Sequence, residues 1–226
     1  MSDHRSFIDM PDRIAHLPRD ARGFPVPKFV YRADDGTPDF RVIRPGWIAE
    51  CVNQNRCWIC GAQLGRHMAF CIGPMCAVNR VNSEPPGHYE CMRFAARNCP
   101  FLTKPMAKRN ERDLPDVRVE AAGMPISRNP GVACVWVTGS YKPFKVRHAG
   151  SNPGLLFELG APTKLEFWRE GRPATLDEVN ESVRTGLPLL EEASRHDGPT
   201  AAKVLASQVE AFRRLLDVVY PQGAVA

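Results

Sequence analysis

Two short pairs stand out among the side chains able to do chemistry: Cys57-Trp58-Ile59-Cys60 and His88-Tyr89-Glu90-Cys91. Each sets two metal-binding donors around a two-residue spacer, the pattern of a zinc site. In the first pair, the short spacer and the following Gly61 permit a tight turn that aims both thiolates at one ion. In the second, the donors are three residues apart at the start of a helical pattern, so both lie on one helix face. Cys57, Cys60, His88 and Cys91 would then close a tetrahedral site around Zn2+. Four protein ligands leave no position for water, so the role is structural rather than catalytic. Two other readings compete. Reduced cysteines pack as small core hydrophobes, and an iron–sulfur cluster could draw on Cys71, Cys76 or Cys99. The histidine favours zinc. Cys71 sits in a strand-like run, and Cys51 reads as helix core.

The 226-residue chain has eight cysteines, and seven lie between Cys51 and Cys99. No run of 18 apolar residues is present, so no membrane span is expected. Residues 1–20 are polar and lack the basic head and apolar middle of a signal peptide. The chain is therefore expected to be intracellular and cytoplasmic, where reduced thiols favour metal over disulfides. Hydrophobic residues at 43% allow a packed core, while 21 prolines and 17 glycines count against an all-helical bundle.

The net charge of +5 is uneven: residues 56–109 carry +6 and residues 158–226 carry −3. Trp58, Tyr89, Phe94 and Phe101 interleave with Arg56, Arg80, Arg93 and Arg97 in the basic stretch. Aromatic platforms beside cations suit single-stranded nucleic acid. Arg56, Trp58, Arg80, Arg93 and Arg97 are the expected contacts to DNA or RNA, with Trp58 exposed between the knuckle cysteines. The bland alternative makes Phe94 and Phe101 mini-core and the arginines a solvated face. A different class of partner, a host protein, would suit the acidic C-terminal helices with Glu178, Glu181, Glu191 and Glu192.

These residues need a scaffold, and the expected one is α+β. Residues 1–55 read as an N-terminal arm with strands at 28–32 and 40–43 around an Asp34-Asp35-Gly36 turn, then a helix from Pro45 to about 53. Residues 56–102 form the cysteine module, ending in a helix from His88 to 98. Residues 103–130 read as a linker. Residues 131–226 hold a small antiparallel β-meander, with strands at 132–138, 155–159 and 164–168, then C-terminal helices. Thr175 and Glu178 form a capping box; Gly186 is expected to stop that helix. A second helix follows over 187–195, and a last one runs from 199 or 200 to 220. Within the module, the order knuckle, hairpin, helix resembles the treble-clef zinc fold.

The wider wording is Arg56-Cys57-Trp58-Ile59-Cys60-Gly61, Phe70-Cys71-Ile72-Gly73-Pro74-Met75-Cys76, Asn79-Arg80, Glu84-Pro85-Pro86-Gly87-His88 and Cys99-Pro100-Phe101-Leu102. It resembles an uncharacterised protein family of bacterial genomes and prophages. The resemblance extends to Arg128-Asn129-Pro130-Gly131-Val132 and Glu170-Gly171-Arg172. It implies a phage or mobile-element setting and carries no activity.

Enzyme signatures find little footing. His88-Tyr89-Glu90 matches half of a zinc-deaminase motif, but the second cysteine pair is absent downstream. A treble-clef nuclease would need a second metal and a histidine base; His67 and Asn79 are present without an acidic partner. Cys134 and His148 could pair as nucleophile and base, but Cys134 lies in a buried-strand pattern where cysteines are inert. No catalytic residue is assigned.

Overall fold

The computed structural model describes residues 6–105, 107–108, 110–116, 121–123, 129–146 and 152–221. In chain order the elements are α1 (Asp12–Ala15), β1 (Val30–Arg32), β2 (Pro38–Ile43), α2 (Trp47–Asn53), β3 (Met68–Ile72), α3 (Pro74–Asn79), β4 (Val81–Asn82), α4 (Tyr89–Asn98), β5 (Ala133–Thr138), β6 (Tyr141–Val146), β7 (Gly154–Leu159), β8 (Pro162–Arg169), β9 (Arg172–Pro173), α5 (Leu176–His196) and α6 (Pro199–Val219). The class is α+β, and the sheets are antiparallel throughout the described residues.

The β-branched and aromatic run of β5 makes it the central strand: every residue of it is buried. It pairs with β3 on one side and β8 on the other, in a sheet ordered β3-β5-β8-β9. Successive side chains of a strand point to opposite faces, and here each face meets a separate core. Ala133, Val135 and Val137 join Ile14, Trp47, Trp58, Met92, Phe94 and Trp168. Cys134 and Trp136 join Phe70, Met75, Val78, Phe167, Leu205 and Phe212. The first core carries the cysteine module and the N-terminal segment. The second carries α3, α5 and α6.

Three expectations need correction. The strands at 155–159 and 164–168 do not share a meander: β7 pairs with β6 and β4, while β8 pairs with β5 and β9. Chain proximity misled here: β8 joins β5, which also takes β3 from within the cysteine module, while β7 joins β4 and β6 in a separate sheet. Gly186 does not stop the helix, which runs unbroken from Leu176 to His196 through Gly186 and Pro188. A methyl group on Gly186 would meet Met75 Cγ and Sδ at 2.9 Å, so the glycine lets α5 approach α3 closely. The described part of 103–130 is tied down. Asn129 Nδ2 donates to the carbonyls of Phe101, Lys104 and Ala107, and Arg41 Nη1 donates to that of Arg112 at 2.7 Å. The capping box at Thr175 is present in both directions.

The module itself is stitched to the large sheet. Within 56–102, β3 meets only one hairpin partner position, an antiparallel bridge from Ala69 to Gly87 with both N–H···O distances at 2.8 Å. The rest of β3 pairs along its length with β5. This bridge and the start of α4 bring His88 over the knuckle.

Candidate metal centre

Two backbone features aim the knuckle. The Cys57 N–H donates to the Ala62 carbonyl at 2.8 Å, and the Gly61 N–H returns to the Cys57 carbonyl at 2.9 Å. Gly61 sits at φ +76°, a left-handed turn that glycine enters without strain. On the opposite wall, His88 is the N-cap of α4 and Cys91 stands in its first turn. Gly87 allows the two walls to meet: a Cβ there would lie 3.0 Å from Cys57 Sγ and 2.7 Å from Met92 Cε.

The four donor atoms of Cys57, Cys60, His88 and Cys91 all lie within 4.8 Å of one another. His88 Nδ1 is 3.4 Å from Cys60 Sγ and 4.0 Å from Cys91 Sγ. Its other nitrogen, Nε2, is 3.0 Å from the Gln63 carbonyl. A carbonyl only accepts, so Nε2 carries the proton and Nδ1 turns its lone pair toward the sulfurs. A second hydrogen bond of this kind orients a metal-binding imidazole. The His88 N–H also points at Cys57 Sγ from 3.4 Å.

The four groups are close enough for each to shift the others' protonation. Hydrogen bonds from Cys60 and Cys91 pull the Cys57 thiol well below the ordinary range, while the same contacts push Cys60 and Cys91 up. The Cys57 thiolate also raises His88. Without an ion one thiolate shares the space with two thiols; a bound cation would let all three deprotonate, as coordinated thiols do. The residues therefore fit a metal ion: two fully buried cysteines, one partly buried, and a buried histidine of fixed tautomer.

The remaining cysteines stand apart from this group. Cys51 is buried in α2, and burial pushes its thiol up to about 12. Burial likewise raises Cys71 and Cys99, and takes Cys76 to about 11. Cys134 is fully buried and raised well above the ordinary value, which leaves it inert. Its suggested partner His148 lies outside the described residues. Glu50 on α2 receives the Arg44 guanidinium at 3.0 Å on both oxygens.

The five expected nucleic-acid contacts do not form one face. Trp58 is buried, stacked on Phe29 with ring centroids 4.8 Å apart, and its carbonyl accepts from the Trp47 indole. A place between the knuckle cysteines does not expose Trp58, because a core lies on its side of the knuckle. Arg56 braces the knuckle through the Gly61 carbonyl at 3.1 Å. Arg80 lies over Trp136 and donates to the Leu159 carbonyl, toward the second core. Only Arg93 and Arg97 come together, both over Trp168, with Asp9 between them. Sequence reasoning missed Asp9, Gln63, Gly87 and Trp168. Gly87 directly before His88 was a usable signal; the Gln63 carbonyl had none, since every residue carries one.

Among the described residues, no helix is long and apolar enough to cross a membrane. No protein family, curated protein or solved structure matches the chain.

Proposed function

We propose that this chain is a zinc-stabilised binding protein whose partner is nucleic acid. The observation that carries the reading is the closed donor set of Cys57, Cys60, His88 and Cys91 at the start of α4. Zinc–sulfur bonds of about 2.3 Å and a zinc–nitrogen bond of about 2.0 Å make tetrahedral edges of roughly 3.5 to 3.8 Å. The 3.4 and 4.0 Å separations bracket that range. A 4.8 Å span suits one ion better than a multi-iron cluster, and three thiolates with an imidazole suit zinc. All four positions come from the protein, so the ion serves as a staple. The knuckle, the Ala69–Gly87 bridge and α4 follow the treble-clef order.

Nucleic acid is favoured by the net charge of +5 and by the paired guanidinium groups on α4. A phage or mobile-element setting belongs to this reading on the sequence resemblance alone. A nuclease gains no support: among the described residues, one group of His, Cys, Asp or Glu side chains converges on a metal position, and it is the closed one. A host-protein partner is the second reading. The acidic helices argue for it less than expected, because Glu178, Glu181 and Glu192 are paired with Arg172, Arg184 and Arg195. A groove of about 720 Å³ lined by Met75, Phe144, Leu190 and Val204 favours it instead.

Elemental analysis of protein purified without added metal tests the first half: about one zinc per chain is expected. Iron, or a folded chain free of metal, overturns it. For the second half, binding to an oligonucleotide should weaken steeply with salt as counterions are released. Absence of binding at low salt transfers the reading to a protein partner.

A further inference from the structure

Arg93 and Arg97 are one helical turn apart on α4, and their guanidinium groups reach the same oxygen, Oδ2 of Asp9. Both lie over the Trp168 ring, at 5.4 and 4.8 Å from its centroid. Asp9 comes from the N-terminal segment, 84 residues before Arg93 in the chain. That segment is strapped along α4. Phe7 packs on Phe94 at 5.7 Å, and Ile8 exchanges two 3.0 Å main-chain hydrogen bonds with the Asn98 side chain.

Phe7 and Met10 anchor the strap on the first core, with Phe7 also against Phe24, while the two residues between them are exposed. Asp9 is 55% exposed at its side chain, and Ile8 leaves half its surface in solvent. Asp9 also adopts φ +51°, in the left-handed region. Arg97 has the Gly171 carbonyl besides Asp9, but Arg93 remains undersupplied with acceptors. Arg93 Nε is buried without a hydrogen bond, and its nearest carboxylate, Glu166, is 3.8 Å away. Glu166 is already engaged by Lys164 at 2.7 Å, by the Tyr89 hydroxyl and by the Trp168 indole. Among the described residues three cations, Arg93, Arg97 and Lys164, thus face two carboxylates.

We propose that this platform is the chain's phosphate contact, and that Asp9 is an internal stand-in for the phosphate that must leave before nucleic acid binds. The inference rests on the nucleic-acid reading above and adds its location and its control. A phosphodiester presents two non-bridging oxygens, so each guanidinium can take one, where Asp9 offers both the same atom. Trp168 is buried, so it stacks on the arginines and holds their planes in place; it does not stack on a base. Displacing Asp9 leaves one surplus cation more, which the polyanion neutralises.

The test measures binding of a fluorescein-labelled oligothymidylate of about 15 nucleotides to three full-length, metal-loaded proteins. These are the natural chain, Asp9→Asn, and Arg93→Gln with Arg97→Gln. Asp9→Asn should tighten binding about three- to tenfold, the range expected for removing a competing exposed ion-pair cluster. The double arginine variant should bind at least about tenfold more weakly than Asp9→Asn. Hydrogen exchange of residues 7–10 in the natural chain should speed up when the oligonucleotide is added, which needs no variant at all. Unchanged affinity for Asp9→Asn, or unchanged affinity for the arginine variant, overturns the inference and leaves the nucleic-acid reading standing. If none of the three proteins binds at low salt, both fall. Should a polyglutamate peptide bind Asp9→Asn where the oligonucleotide does not, the platform serves an acidic protein instead and the inference is overturned.

Discussion

Glu84 offers a sharp test of how the two walls of the module are packed. Its carboxyl lies among the thiols of Cys71, Cys76 and Cys99, each of which feels its charge. Burial pushes it from 4.5 up to about 7, against the opposing hydrogen bond from Trp58. The folded chain therefore keeps this proton up to about pH 7, whereas the unfolded chain loses it near 4.5. Stability from this group is fully present below 4.5 and is lost as pH rises through about 7. The gap corresponds to about 3 kcal/mol in the limit, and Glu84 retains some solvent exposure, so about 1–3 kcal/mol is the working range. Glu84→Gln keeps the shape and an acceptor for Trp58 but cannot ionise. Urea unfolding of both metal-loaded proteins between pH 5 and 9 gives the difference directly, and the contribution of the metal site cancels. The variant's advantage should be small near pH 5, grow through pH 7 and reach that margin above pH 8. A flat difference across the range would falsify the buried-carboxyl argument. A variant less stable than the natural chain at pH 8 would mean that the carboxylate is held by a partner cation.

The other expectations concern the staple, the sheet and the helices. Cys91→Ser should lower metal content well below one per chain and broaden thermal unfolding, since binding energy at such a site is folding energy; retention of the full metal complement refutes the ligand assignment. Gly87→Ala forces a methyl group against Cys57 Sγ and Met92, so metal affinity should drop by about tenfold or more in a chelator competition. Trp136→Ala should cost about 3–5 kcal/mol in denaturant unfolding, because the ring is fully buried and its N–H donates to the Gly160 carbonyl at 3.0 Å. Thr175→Ala should cost about 1 kcal/mol by losing the cap of α5; circular dichroism melting would show it.

Much of the local structure was legible in the residues. Thr175 and Glu178 marked the start of α5 because capping is a contest between near neighbours. The β-branched run at 133–138 marked a strand because its side chains suit a pleated, buried surface. The two ligand pairs were legible for the same reason: each is set by a turn or by the first turn of a helix. Other elements escaped. The helix α3 is only Pro74–Asn79 and lies inside a cysteine-rich stretch that draws attention to its ligands. Strand β6 carries Pro143 and two lysines, a composition that reads as loop until β7 pairs with it. Gly186 looked like a stop signal because a glycine's freedom resembles a helix end in one dimension; only the nearness of Met75 shows its use.

The surface followed the same division. Charge counting placed +6 on residues 56–109 and drew the arginines into one functional set. The sheet then put Arg80 beside one core and Arg93 with Arg97 beside the other, and a distant aspartate neutralised part of the pair. By itself the sequence determined the donor types, their spacing and the segments that could present them, because those depend on neighbours along the chain. The tertiary structure alone decided that the donors meet, that Trp58 is core, and which cations face outward with what opposite them. Those outcomes depend on contacts across tens of residues, where burial and pairing are set by packing and local pattern carries no information.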